Sequence, residues 1–359
     1  MSKCLQMFSR LLIVLGFMMV ARGLLAVPYA QPPVPQDNPL TAAKIRLGKM
    51  LFFDPVLSAD GSISCNSCHN VFGSGTDNRA VSMGVQGKLG GRSSPTVWNA
   101  AFLSVLFWDG RAGSLEEQAL GPITNPIEMG TDSIETVVNR LKQIPDYEKM
   151  FKEAFGSQGI SPKTIGQAIA SFERTLITEK SPYDRFQAGD SGALTADAKK
   201  GFELFQSVGC ISCHGGPHFA GPPIPMGTGF FQKFPVVPGT SFDQKYGFSQ
   251  DPGRMSVTGK AEDKNMWRVP TLRNIAITAP YFHNGSVPTL QEAIRVMAKV
   301  QLHRDLSDDE VQKIGSFLEA LTGEFPAITA PRLPQPHGYS FYMPQAFSKN
   351  SAQPVKKAG

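Results

Sequence analysis

Cys65-Asn66-Ser67-Cys68-His69, with its echo Cys210-Ile211-Ser212-Cys213-His214, decides how this chain is read. Each stretch is C-x-x-C-H, the spacing by which a chain attaches a c-type haem. Two thiols three residues apart can both bond to the vinyl groups of one porphyrin. The His that follows then lies under the ring and gives its imidazole to the iron. The two copies use four of the five cysteines and leave only Cys4. A disulfide or zinc pair would explain neither the His after each pair nor the lack of other cysteines. Two covalent haems are therefore expected, one on Cys65, Cys68 and His69, the other on Cys210, Cys213 and His214.

Outward from each motif the same plan appears. Ala42 to Phe53 has helical spacing, with Ile45, Leu47, Met50 and Leu51 apolar, and Asp54-Pro55 breaks it before the first motif. Thr195 is a good N-cap for a helix over 196–208, which Gly209 ends just before Cys210. Both helices carry Gly followed four residues later by Phe: Gly48 to Phe52, and Gly201 to Phe205. Each half also closes on a helix. Ser161-Pro162 opens one predicted over 163–177, and the capping box Ser307 to Glu310 opens one over 311–321. The fold class is mainly α, with two cytochrome-c-like helical domains.

The domains expected are 31–185 for the first haem and 186–325 for the second. Residues 326–359 form a tail whose Tyr339, Phe341 and Tyr342 suit packing back on a domain. Gln31 to Pro39, with four prolines, reads as an extended lead-in. Residues 1–30 read as a secretory signal: Lys3 and Arg10, then the apolar run Leu11 to Val20. That run is short for a bilayer span. Export to the periplasm agrees with c-type haem, which bacteria attach outside the cytoplasm. Lys3, Arg10 and Arg22 lie there with no acid beside them, so removing the segment takes the net charge from +5 to +2. That charge is too weak to argue for nucleic acid or an anionic membrane surface, and no nucleic-acid partner is expected.

The second axial ligand of each iron decides function: Met raises the potential, His lowers it, and an empty site allows chemistry. No His occurs between residues 70 and 200. Met83, Met129 or a His reaching over from the second half are the ligands at hand for the first iron; otherwise it stays open to peroxide or oxygen. Glu128, after Gln118, is a candidate acid-base carboxylate over that open face. Met297, on the apolar pattern 290–300, is a candidate cap for the second iron.

Taken together, the chain resembles the bacterial di-haem cytochrome c peroxidase family. The resemblance runs from Leu47 to Gly323 and is carried by Leu47-Gly48-Lys49-Met50-Leu51-Phe52-Phe53-Asp54-Pro55, the first haem motif, Phe107-Trp108-Asp109-Gly110-Arg111 and Ala279-Pro280-Tyr281-Phe282-His283-Asn284-Gly285. It implies a peroxidatic haem on His69 with Glu128 and Gln118 over it, and an electron-entry haem on His214 and Met297. It implies Trp108 as the relay between them and His283 as a non-ligating neighbour. It further implies hydrogen peroxide as substrate, a cytochrome c or cupredoxin as donor, and a homodimer. A calcium ion is implied through the carbonyls of Thr278 and Pro280, although Ser93 stands where the family has an Asn ligand. Many members carry a His in the loop after the first motif; here that position is Val85, so the peroxidatic iron is expected to rest open. Two rivals stand beside this reading. One is a di-haem oxidase that modifies a protein, like the enzyme maturing the tryptophylquinone of methylamine dehydrogenase. Such enzymes replace the axial Met with Tyr. The other is a non-catalytic di-haem electron carrier.

Overall fold

The structure, a computed structural model, describes residues 31–334. The signal-like segment 1–30 with Cys4, and the tail residues Tyr339, Phe341 and Tyr342, lie outside the described residues.

Thr41 starts the first helix, α1 (Ala42–Phe53), its hydroxyl accepting from the Lys44 N–H at 3.2 Å. The haem-motif helix α2 (Cys65–Cys68) follows, then the short helices α3 (Leu115–Gln118) and α4 (Gly121–Thr124). An excursion of two amphipathic helices comes next, α5 (Ile134–Lys142) and α6 (Pro145–Phe155), before α7 (Pro162–Glu173), which opens on the Ser161 capping box. A linking helix α8 (Pro182–Gln187) leads to α9 (Ala196–Val208) and a single 3₁₀ turn at Cys210–Ser212. The second half has its own excursion: β1 (Phe231–Lys233), α10 (Ser241–Tyr246), α11 (Met255–Thr258) and β2 (Met266–Arg268). The strands pair antiparallel, with Phe231 opposite Arg268. Helices α12 (Leu290–Leu302) and α13 (Asp308–Glu319) complete it. No helix among the described residues is long and apolar enough to cross a membrane.

One helix crossing is built twice. Helix α1 meets α7 at Gly48, where an added Cβ would fall 1.8 Å from the Ala168 carbonyl oxygen. Helix α9 meets α13 at Gly201, where a Cβ would fall 1.9 Å from the Lys313 carbonyl oxygen. Only glycine lets two backbones come that close. Around the first crossing lies a core of Leu47, Leu51, Phe52, Tyr147, Phe151, Ile165, Ile169 and Phe172. Around the second lie Phe205, Phe219, Phe248, Val296, Phe317 and Leu321, with Trp108 and Tyr183 packed against them from earlier in the chain.

The halves meet where their closing helices end. Glu179 and Glu324 pair backbone to backbone, at 3.1 and 2.6 Å. Beside them the side-chain amides of Asn99 and Asn274 both donate to the Thr178 hydroxyl, at 2.8 and 3.0 Å. This join corrects the predicted end of the first closing helix. The apolar pattern continues to residue 177, but the helix stops at Glu173 because Asn99 holds Thr178 in the extended run that reaches Glu324. The last helix begins at Asp308, directly after its Ser307 cap, and ends at Glu319. The lead-in is docked but not extended throughout, since it turns where the Asn38 N–H donates to the Pro35 carbonyl at 3.0 Å. Asn38 is fully buried and its side chain donates to the Gln167 carbonyl at 3.0 Å, and Arg174 Nε donates to the Pro33 carbonyl at 3.0 Å. After the last helix, Phe325 packs edge-on against Trp98 at 4.9 Å and Ile328 joins the first core.

Gly48→Ala and Gly201→Ala each force two helix backbones apart. Each should lower unfolding stability by about 1–3 kcal/mol, measured by denaturant titration, whereas Gly87→Ala, which meets no neighbour but is strained by its positive φ, should cost less.

Candidate haem-binding site

Each C-x-x-C-H motif opens onto its own cavity. The first has a volume of about 370 Å³ and is lined by Cys65, Cys68, His69, Gln118, Pro122, Glu128 and Trp108 among others. His69 arrives ready to ligate. Its Nδ1 is 3.0 Å from the Pro95 carbonyl oxygen and 3.2 Å from the Ser94 hydroxyl, which leaves Nε2 for the cavity. Burial pulls its pKa below the usual imidazole value, against the Pro95 carbonyl, so the ring is held neutral. A neutral imidazole whose second nitrogen is tied to a carbonyl is the form that binds iron. The second cavity, about 200 Å³, repeats the arrangement with Cys210, Cys213, His214 and Met297 in its wall. His214 Nδ1 is 3.0 Å from the Phe219 carbonyl oxygen, and burial again lowers its pKa. Burial pushes the thiol pKa of Cys65 and Cys68 up, and that of Cys210 to about 11. These donor sets fit two haems: paired thiols and an oriented imidazole face each cavity, and no His, Cys, Asp or Glu cluster among the described residues suits another metal.

The repeat also explains how the two cavities differ. Pro95-Thr96-Val97-Trp98-Asn99 matches Pro270-Thr271-Leu272-Arg273-Asn274, and Asn99 and Asn274 both take the left-handed conformation, at φ 62° and 60°. Next come two tight hairpins, closed by the bridges Leu106–Ala112 and Tyr281–Val287, with Phe107 and Phe282 at φ 65° and 71°. Trp108 and His283 are thus equivalent positions. The caps Ser114 and Thr289 follow, then Leu115 and Leu290. Counting on from these caps, Met297 corresponds to Pro122. In the second half, α12 runs unbroken through Met297. In the first half the same stretch breaks into α3 and α4, and Pro122 brings no ligating atom to the cavity wall.

Gln118, the last residue of α3, and Glu128, in the turn after α4, both line the first cavity. Glu128 Oε1 accepts from the Asn125 amide at 3.0 Å. Burial raises its pKa, and the Arg111 guanidinium opposes that. A clamp fixes this turn: the Val85 N–H donates to the Glu128 carbonyl at 2.9 Å, and a Cβ on Gly84 would fall 1.9 Å from the Ile127 carbonyl oxygen. Val85 is buried against Gly130 and is not among the cavity-lining residues. Met83 is 43% exposed and lies off the cavity; Met129 lines it and packs in the first core.

Trp108 lines both cavities. Its indole N–H donates to the Ser93 carbonyl at 2.8 Å, and its own carbonyl accepts from the Arg268 N–H at 3.0 Å. His283 is buried, lines the second cavity and stacks on Trp267 at 4.0 Å. Near the expected calcium carbonyls, Asn78 donates to the neighbouring carbonyls of Ile277 and Ala279, at 3.1 and 2.7 Å. Sequence reasoning missed two cavity residues. Glu173, its Oε2 without a hydrogen-bond partner, is pushed by burial to a pKa of about 8. It sits four residues after Ile169 on the inward face of α7, and a carboxylate on that apolar stripe was the available signal. Arg268 lines both cavities, and nothing in the local pattern marks it.

Comparison with known proteins agrees with this geometry. A family model described as di-haem cytochrome c peroxidase matches residues 42–192, and one described as RoxA-like, cytochrome c-like, matches residues 267–303. The chain is 42% identical to the cytochrome c551 peroxidase of Nitrosomonas europaea, over 91% of this chain and 94% of that one. It is 40% identical to the cytochrome c551 peroxidase of Pseudomonas aeruginosa, over 84% and 87%. Among solved structures it resembles a MauG-like protein associated with microbial copper homeostasis, with a TM-score of 0.73, 31% identity, and coverage of 83% and 95%.

Replacing Cys65 and Cys68 together by Ala should remove one covalent haem and leave the other. Intact-mass measurement of the purified chain should fall by one haem, while the visible spectrum of the His214 haem persists.

Proposed function

The chain belongs to the di-haem cytochrome c peroxidase family, and on that premise we propose that it reduces hydrogen peroxide to two waters, taking up two electrons and two protons. A small cytochrome c or cupredoxin delivers the electrons singly. The observation that carries the reading is the inequality of the two cavities: Met297 stands in one wall and Pro122 at its counterpart in the other. When bound, the first haem supplies the iron that polarises the peroxide O–O bond, and the second supplies an electron store.

The chain's residues do the rest. Cys65, Cys68 and Cys210, Cys213 would hold the two haems covalently, His69 and His214 would each give an imidazole to one iron, and Met297 would offer its thioether to the iron beside His214. Glu128 takes a proton from one peroxide oxygen and returns it to the other, and Gln118 orients the substrate by its amide. Trp108, in the wall common to both cavities, is the electron relay. With no ligand at Pro122 and with Val85 buried off the cavity, the first site is open at rest and needs no prior reduction. The division into haem domains 31–185 and 186–325, export to the periplasm by residues 1–30, and a homodimer belong to the same reading. So does a calcium ion on the Thr278 and Pro280 carbonyls, which alternate with those that Asn78 engages.

The protein-modifying oxidase is the second reading, favoured by the likeness to a MauG-like structure. Against it stands Met297: the Tyr in the second cavity wall, Tyr281, is on the hairpin and not at the helix position that carries Met297. The EPR spectrum of the all-ferric protein tests the reading. One high-spin and one low-spin haem, with turnover that does not wait for prior reduction, is expected. Two low-spin haems and no turnover would establish the electron carrier instead.

Glu128→Ala should retain both haems and lose about 10²–10⁴-fold in peroxide turnover. The pH profile gives a second check. Burial raises the Glu128 pKa and Arg111 opposes this, so Arg111→Leu should raise it further. Activity requires the carboxylate, so the acid limb of kcat/KM should move to higher pH in that variant.

A further inference from the structure

The wall between the two cavities is built from two short pieces of chain, the hairpin carrying Trp108 and the strand β2. Its charges can be counted. Asp109 is buried and pairs with both Arg92 and Arg111. Asp251 pairs with Arg92 at 2.7 Å, and Asp263 lies 3.9 Å from Arg254. Arg268, only 5% exposed, is the remaining cation, and among the described residues no carboxylate pairs with it. Its guanidinium donates only to neutral carbonyls, from Nε to Phe107 at 3.1 Å and from a terminal nitrogen to Val269 at 3.2 Å. Burial accordingly lowers its pKa to about 10, and the already shared Asp109 compensates in part. A buried cation without an anion is costly, and an anion brought to its side offsets that cost.

Arg268 and Trp108 line both cavities. Porphyrins of the haem type carry carboxylate side chains, and those carboxylates are the anions that reach both cavities from within. We propose that Arg268 is a positioning residue shared by the two haems, its guanidinium answering their carboxylates and its charge raising the reduction potential of both. The inference rests on the proposed occupancy of both cavities by haem. Its physical basis is simple: a fixed positive charge favours the reduced form, which carries one positive charge fewer. Because a single guanidinium borders both sites, its field acts on both irons together.

The test compares Arg268→Gln with Arg268→Lys in the haem-loaded full chain at pH 6. Both variants lose the guanidinium fork, so they share any purely structural damage and differ in charge. Haem content is first measured by pyridine haemochrome, and both potentials are then read by spectroelectrochemical titration. At a fixed electrode potential the reduced-to-oxidised ratio of each haem should be at least tenfold lower in the Gln variant than in the Lys variant. For a one-electron couple that is about 59 mV. Equal potentials in the two variants, or a shift confined to one haem, would overturn the shared role while leaving the di-haem reading intact. Fewer than two haems in the unmodified protein would overturn both.

Discussion

Everything in this molecule hangs from a contact between helix backbones with glycine at its centre, made once in each half. Gly48 on Ala168 and Gly201 on Lys313 bring an opening helix and a closing helix closer than side chains permit. In the second half the haem motif leaves the end of the opening helix directly, at Cys210 after Val208, and in the first it follows a short loop from Asp54, so the crossing anchors the segment that carries the cysteines and the His. The closing helix returns beneath, and its inward face supplies part of the first cavity wall through Ile169 and Glu173. The excursions, α5–α6 in one half and residues around β1–β2 in the other, are added outside this frame. They change the sequence spacing between matching residues without moving the match itself.

The two cavities show how one scaffold can be walled in two ways. The proximal side is nearly invariant between halves: an imidazole tied through Nδ1 to a backbone carbonyl and held neutral by burial. The difference lies in a few residues after a shared cap. An unbroken helix carries a thioether into the second cavity. A break at Ala119-Leu120, just ahead of Pro122, replaces it in the first and lets the turn after α4 bring Glu128 to the cavity. Breaking the helix therefore does two things at once: it takes the thioether out of the wall and it makes room for a carboxylate. Proline, with no N–H and a fixed φ, starts α4 afresh and makes that change local.

Much of this was legible in the sequence. The C-x-x-C-H pairs, the caps Ser161, Thr195 and Ser307, and the glycines of the opening helices are local signals with local causes, and the three capped helices start at those caps. The end of α7 was not legible, because the apolar period continues to residue 177 while Asn99, distant in sequence, holds Thr178 out of the helix. The repeat of Pro-Thr-x-x-Asn and of the two hairpins was written in the chain, and comparing the chain with itself would have set Met297 against Pro122. Val85 could be seen as a non-ligand from its chemistry, but its burial against Gly130 depends on the fold. Glu173 left one signal, a carboxylate on the apolar stripe of α7, whereas nothing in the local pattern marks Arg268. For both, only the three-dimensional cavity wall gives the charge its neighbours.

The wall between the cavities limits how independently the two sites can be adjusted. Trp108 is held by Ser93 on one side and by Arg268 on the other, and Arg268 in turn fastens to the Phe107 carbonyl. The Ser93 N–H reaches the His283 carbonyl at 2.7 Å, so the hairpins of both halves are joined through one residue. A change that reorients Trp108 must therefore disturb groups bordering both cavities. The proposed relay gains from that rigidity, since a residue fixed through its indole N–H to Ser93 and through its own carbonyl to Arg268 has little room to rearrange. The same rigidity means that a peroxidase of this build varies its two halves through residues away from the common wall, such as those on α3–α4 and α12, where the two copies already differ.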